Sequence, residues 1–152
     1  MTPLTTTSLA DSYFENIVGS QLWDDAEDPL KLRALCHATK ILNTLNWVGV
    51  PDAWDQENCF PRHGLLSGSS QVPQDVQEAC CDIALALLND INPDESIEDI
   101  AVTSQSYSSI RVSYDRSMVQ EHIAAGVPSA TAWKKIKPYL LEPGLIRMTR
   151  VN

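Results

Sequence analysis

With 152 residues, 43% hydrophobic and 20% charged, and a formal net charge of −9, the chain is long enough to bury a core in one domain and too apolar for a disordered tail. Met1 to Asn16 is polar and lacks lysine or arginine, which argues against a secretory signal, and the longest apolar run, Ile83 to Leu88, is far too short to span a bilayer, so no membrane partner is expected. The charge is uneven: residues 1–100 hold seventeen acids against four bases (Lys31, Arg33, Lys40, Arg62), a net of −13, whereas the last 52 hold seven bases against three acids, a net of +4. An acidic body with a mildly basic C-terminal part predicts that the two meet different surfaces, such as those of neighbouring copies of the same chain; a solvated acidic face is the plainer explanation.

Residues 1–7 read as a flexible, threonine-rich leader, and Ser8 is placed to cap a helix that runs to about Val18 and ends at Gly19. Leu9, Tyr13, Phe14 and Ile17 would form its apolar face. The acidic run Asp24, Asp25, Glu27, Asp28 has the composition of a calcium loop but lacks its glycine and closing glutamate, so exposed charge and capping suffice. Asp28 then caps, and Pro29 begins, a second helix from Leu30 to about Asn46 with Leu32, Leu35, Cys36, Thr39, Leu42 and Leu45 inward.

The stretch 47–64 is unusual for a connection, because it holds two tryptophans, a phenylalanine, two prolines and an arginine. It is expected to be a loop pinned to the helices by a clasp of Trp47, Trp54, Phe60, Pro61 and Arg62. Val72-Pro73 opens a third helix to about Asn89, with Val76, Ala79, Cys80, Ile83, Ala84 and Leu87 inward. The helical core thus spans 8–92. Alternation over Ile97 to Tyr114, with Ile100 and Val102 on one side of a polar segment and Ile110, Val112 and Tyr114 on the other, predicts a β-hairpin or extended arm within 93–116. Two strands alone are marginal in water, so this arm should pair with another subunit or lie on the helices. Within 117–142, Gly126-Val127-Pro128 breaks the chain, Ser129 caps a helix carrying Ala132, Trp133 and Ile136, and Pro138 kinks or restarts it. Residues 143–152 form a tail in which Ile146, Met148 and Val151 alternate with Arg147, Thr149 and Arg150. The fold class is therefore mainly α, an antiparallel helical bundle with an inserted β-hairpin or extended arm and an extended C-terminal tail.

Catalytic motifs are missing: there is no G-x-S-x-G, P-loop, G-x-G-x-x-G or H-E-x-x-H, and no enzyme, metal or cofactor is expected. The four cysteines contain no C-x-x-C, and reduced, buried thiols are the simplest reading. Cys59 with His63 is half of a zinc site with no visible second half. His37, His63 and His122 read as structural or exposed. Arg62 among aromatics could hold an anion, but such an arginine more often bonds loop carbonyls or stacks on a ring.

Tyr13-Phe14, Trp23, Ala34-Leu35, Ala38-Thr39, Leu45-x-Trp47-x-Gly49, Asp55-Gln56, Phe60-Pro61-Arg62 and Val72-Pro73-x-x-Val76-x-x-Ala79 occur in an order that resembles tailed-phage head-to-tail adaptor (neck connector) proteins. Tyr107-x-x-Ile110-x-Val112-x-Tyr114-Asp115 and Lys137-Pro138-Tyr139-Leu140 extend the likeness over most of the chain, whereas Asn58-Cys59 departs from the apolar pair expected before Phe60. Such chains are also grouped under a DnaT-like single-stranded-DNA-binding label. The resemblance implies a structural virion protein of the phage neck, present in the host cytoplasm during assembly. It would form a ring, usually a dodecamer, that joins the portal protein to the tail, nozzle or next neck protein. Double-stranded DNA would pass through it during ejection without sequence-specific binding. It further implies portal docking through Trp133, Tyr139, Arg147, Met148, Arg150 and Val151, and an arm (Val102, Tyr107, Ile110, Val112, Tyr114) that faces the tail side or a neighbouring copy. The alternative is a single-stranded nucleic-acid-binding module, for which Lys134, Lys135 and Lys137 with Trp133 and Tyr139 are the only candidates and the net −9 is unfavourable.

Overall fold

The computed structural model describes residues 2–64, 71–91, 104–107, 110–113 and 120–141. Helix α1 spans Thr7–Phe14, and Thr6 rather than Ser8 caps it, its Oγ1 accepting from the Leu9 amide at 3.3 Å. It stops four residues before Val18 because the chain must double back. Ser20 donates its hydroxyl to the carbonyls of Phe14 (3.3 Å) and Ile17 (3.1 Å), and the short α2, Gln21–Asp24, then turns Trp23 onto Phe14 with ring centroids 4.9 Å apart. A helix continued through Val18 would carry the two rings apart. Ala10 and Phe14 are buried, whereas Leu9, expected inward, is exposed.

The expected flexible leader is instead docked over residues 2–6. Leu4 and Thr5 are buried, the Leu4 amide donates to Thr39 Oγ1 at 3.0 Å, and Asn58 donates to the Thr2 carbonyl at 2.8 Å. Helix α3 covers Asp28–Asn43 with Pro29 in its first turn and Glu27 at the cap position. Its buried face is Ala34, Leu35, Ala38, Thr39 and Leu42; Leu32 is 47% exposed, because the stripe is rotated so that alanines replace it at the closest approach. The helix ends three residues earlier than expected, where the Trp47 indole folds back to donate to the Leu42 carbonyl at 2.8 Å.

Helix α4, Gln74–Leu88, begins directly after Val72-Pro73. It packs against α3 on one side and, on another, against α6 (Ala130–Ile136), and also touches α1 and α2. Burial accordingly exceeds one stripe: Val76, Ala79, Cys80, Cys81, Ile83, Ala84 and Ala86 are all enclosed. Five of these seven are alanine or cysteine, which lets neighbouring helices approach closely. Before α6 lies a single-turn helix α5, Glu121–Ala124, and Ser129 caps α6, accepting from the Ala132 amide at 3.2 Å. Pro138 sits in a 3-10 turn over Lys137–Tyr139.

Two small antiparallel pairs complete the described structure. In the first, β1 (Val50–Pro51) meets β2 (Arg62–His63). In the second, β3 (Ser104–Tyr107) meets β4 (Ile110–Ser113), with Tyr107 opposite Ile110 and Ser104 opposite Ser113. The hairpin expected within the arm is present over Ser104–Tyr107 and Ile110–Ser113, and Ile100 and Val102 lie outside the described residues. The architecture is mainly α with an inserted hairpin. Because α4 has neighbours on several faces, Ala84→Leu is expected to cost about 1–3 kcal/mol by overpacking, seen as a lower urea midpoint, whereas the same change at exposed Lys40 leaves the midpoint within error.

Candidate docking and nucleic-acid surfaces

Residues 47–64 form a braced loop with a strict backbone requirement at its neck. Gly49 has φ +83°, and a Cβ there would lie 2.2 Å from the His63 carbonyl oxygen, so the β1–β2 pairing needs glycine. Arg62 then spans the neck. Its Nε donates to the Val48 carbonyl (3.1 Å), and its terminal nitrogens donate to the carbonyls of Cys59 (3.2 Å), Trp47 (3.3 Å) and Gly49 (2.7 Å). The guanidinium is committed to its own loop and not to an anion. Trp47 and Phe60 are buried in an edge-to-face pair 4.9 Å apart, and the Phe60–Pro61 peptide is cis. Asn43 on α3 accepts from the Cys59 amide at 2.8 Å, and Gln56 donates to the carbonyls of Asn58 (2.6 Å) and Pro61 (3.1 Å).

Trp54 does not belong to this clasp. It is 96% exposed, on the part of the loop beyond the Gln56 brace. The interior holds two aromatic positions, filled by Trp47 and Phe60. His63 is exposed and paired with Asp52, while Cys59 is partly buried with its thiol pushed up to about 12 by desolvation. Among the described residues no group of three or more His, Cys, Asp or Glu is gathered to hold a metal ion, and Cys36, Cys59, Cys80 and Cys81 form no disulfide.

The clasp also reaches the C-terminal turn. Val48 donates to the Tyr139 carbonyl (2.8 Å), Leu141 donates to the Asn46 carbonyl (2.9 Å), and Trp47 faces Leu140 in an antiparallel bridge. Residues 46–48 thus fix the point from which the C-terminal segment departs. Trp133 is half-buried and donates Nε1 to Glu121 at 3.3 Å; Lys137 meets the same carboxylate oxygen at 2.6 Å. These bonds, the Lys137 one foremost, hold the Glu121 carboxyl below its ordinary range. Tyr139 donates to Asp75 at 2.8 Å, which raises its pKa. Lys135 points inward, 3.1 Å from Glu78, 2.9 Å from Asp82 and 2.5 Å from the Tyr13 hydroxyl, which in turn donates to Asp82 at 2.9 Å. Burial of Tyr13 pushes its hydroxyl up to about 12. Burial opposes the Lys135 charge, but the bonds to Tyr13 and Asp82 outweigh it and the ammonium pKa rises.

Of the anticipated docking residues, Trp133 lies on α6 and Tyr139 on the 3-10 turn that follows it. Arg147, Met148, Arg150 and Val151 lie outside the described residues. Of the arm residues, Tyr107, Ile110 and Val112 lie on β3 and β4, and Val102 and Tyr114 fall outside the described residues. Two grooves open on the helical body. One, of about 730 Å3, is walled by Leu9, Tyr13, Val72, Asp75, Glu78 and Tyr139. The other, of about 630 Å3, is walled by Leu45, Ala124, Ala125, Trp133, Leu140 and Leu141, with Glu121 and Lys137 at its edge. The Tyr13–Asp82–Lys135 node has one signal in the sequence, Asp82 within the otherwise apolar run from Ala79 to Leu88.

The described structure is thus a helical body with a short hairpin and two surface grooves, in which Lys31, Lys135 and Lys137 are paired with carboxylates of the same chain. A family model described as "Putative DnaT-like ssDNA binding protein" matches residues 4–151, nearly the whole chain, and the chain belongs to that family. Neither the curated proteins nor the solved structures contain a match to it.

Two outcomes follow from the bonds just described. Arg62→Lys leaves at most one or two of the four carbonyls bonded and is expected to cost about 1–3 kcal/mol, with faster amide exchange at Val48 and Leu141 as the local sign. The folded-state pKa values of Tyr13 and Lys135 are raised, so their contribution is complete below the ordinary values near 10 and is lost as pH climbs from there toward 12 and above. Circular dichroism should show alkaline unfolding that begins above pH 10 and is shallower in Tyr13→Phe, which removes one of the two ionisations.

Proposed function

We propose that the chain is a structural adaptor of the tailed-phage neck, assembled as a ring, dodecameric by resemblance, between the portal and the tail, nozzle or next neck protein. The observation that carries this reading is the fate of the basic cluster. Lys135 is tied to Glu78 and Asp82, Lys137 to Glu121, and the polar ends of Trp133 and Tyr139 to Glu121 and Asp75. With a net charge of −9, little is left to neutralise phosphates. Each neutralised phosphate would release counterions and add affinity, so a wall past which DNA must slide works best when it offers few such contacts. The inserted hairpin fits an arm toward the tail side or a neighbour, with Tyr107, Ile110 and Val112 as contacts. The anchored departure at Leu141 fits a C-terminal segment that reaches the portal through Arg147, Met148, Arg150 and Val151. In this role the protein works in the virion neck, after assembly in the host cytoplasm, and carries DNA ejection without catalysing a reaction.

The family description favours a second reading, in which the chain binds single-stranded DNA. Such binding needs a basic groove with stacking aromatics, and exposed Lys134 beside Trp133 is the place to begin. Filter binding at low salt separates the two: the adaptor reading expects weak retention of single strands, and tight, salt-sensitive retention abolished by Lys134→Ala overturns it. Mixed with portal and imaged, the full chain should form a stacked ring that is lost on deletion of residues 145–152; portal rings that stay bare with the full chain count against the adaptor.

A further inference from the structure

A tryptophan exposed to 96% on a loop held at both ends is a costly way to connect two helices, because Trp54 gains nothing from its own chain. The loop around it is stiff. Gln56 accepts from the Ala53 amide at 3.1 Å and ties down Asn58 and Pro61, and Arg62 closes the neck on four carbonyls. Rigid, solvent-presented tryptophans are what interfaces use as anchors, since little side-chain freedom remains to be lost on binding. The flanking residues Asp52, Asp55 and Glu57 are exposed carboxylates, so the surface that receives this knob should be an apolar hollow with bases at its edge.

Such a hollow exists on the same chain. The groove of about 630 Å3 has Leu45, Ala124, Ala125, Trp133, Leu140 and Leu141 as its walls and the Lys137–Glu121 pair at its edge, with exposed Lys134 on α6 three residues before Lys137. Apart from residues 44–46 its lining comes from residues 121–141, which hold Lys134, Lys135 and Lys137 against one acid, Glu121, whereas residues 52–57 around the knob hold three acids and no lysine or arginine. Trp54 cannot fill it within its own chain, because it is almost wholly exposed there. We propose that Trp54 of one copy seats in this groove of the next, with the carboxylates that flank the knob turned toward exposed Lys134. A contact between two different patches is heterologous, and it closes into a ring when the rotation allows. The proposal deepens the adaptor reading, on which it rests, by naming the subunit contact.

The test mixes two singly substituted full-length chains, Trp54→Cys and Ala124→Cys, both changed at exposed positions, under mild oxidation. The expected result is a disulfide-linked pair in the mixture, and a ladder of oligomers from the doubly substituted chain. Trp54→Ala should weaken self-association by about 30-fold or more, the loss expected of an anchor residue. The proposal is overturned if the mixed pair is no more abundant than that between Trp54→Cys and His37→Cys, an exposed position away from the groove. It is equally overturned if Trp54→Cys links mainly to itself, which would mark a two-fold contact. Failure of the disulfide while the full chain still stacks on the portal removes the knob and leaves the adaptor; failure of both removes the adaptor as well.

Discussion

The structure depends on one packing constraint, the burial of α4 on more than one side. A helix with a single apolar stripe can rest on one neighbour, but α4 receives α3, α6, α1 and α2. Its enclosed residues must then be small where backbones come closest, and Ala79, Cys80, Cys81, Ala84 and Ala86 meet that need while Val76 and Ile83 fill the wider gaps. The thiols serve as small hydrophobes, with desolvation pushing both Cys80 and Cys81 up to about 12 and so keeping them protonated and inert at neutral pH. Cys80 also stands 3.7 Å from Thr39 Oγ1, the atom that anchors Leu4, so the leader is held through the same α3–α4 seam.

Enclosing α4 brings a polar cost where Asp82 and Glu78 fall near the α6 side, and Lys135 with Tyr13 offsets it. An unpaired carboxylate at a largely enclosed site would be strongly unfavourable, whereas one ammonium shared between two carboxylates and a phenol satisfies most of the bonding capacity at once. The geometry has a further effect. Three elements distant in sequence, α1, α4 and α6, are fixed in rotation by this node. The rotation of α6 sets Trp133 on the wall of the second groove.

Local signals in the sequence were legible, and long-range ones were not. Pro29, Pro73, Ser129 and Pro138 mark element starts through backbone sterics and capping that need no tertiary context, and each lies at or within a residue or two of an observed boundary. The α3 stripe was read one step off at Leu32 because periodicity cannot tell which of two adjacent faces will be closest to a partner, and Ala34 and Ala38 carry no hydrophobic weight to announce it. The end of α1 was misplaced for the same kind of reason: Gly19 is a stronger local stop than anything at Phe14, and only the need to bring Trp23 onto Phe14 ends the helix earlier.

The clasp shows most plainly where composition stops being informative. Trp47 and Trp54 are identical on any hydropathy scale, and a loop so rich in aromatics reads as glue throughout. The fold separates them by the two positions it can close: Trp47 is fixed by its bond to Leu42 and its bridge to Leu140, Phe60 packs on Trp47, and Arg62 seals the neck by carbonyl bonds that leave its guanidinium no anion to hold. The third aromatic is left outside by that same closure. A scaffold that uses an arginine and a glutamine to stiffen a loop, and then presents an indole to water between carboxylates, is spending rigidity on a surface. The adaptor reading supplies a reason for doing so, because a ring has to repeat one contact at one fixed angle around its whole circumference.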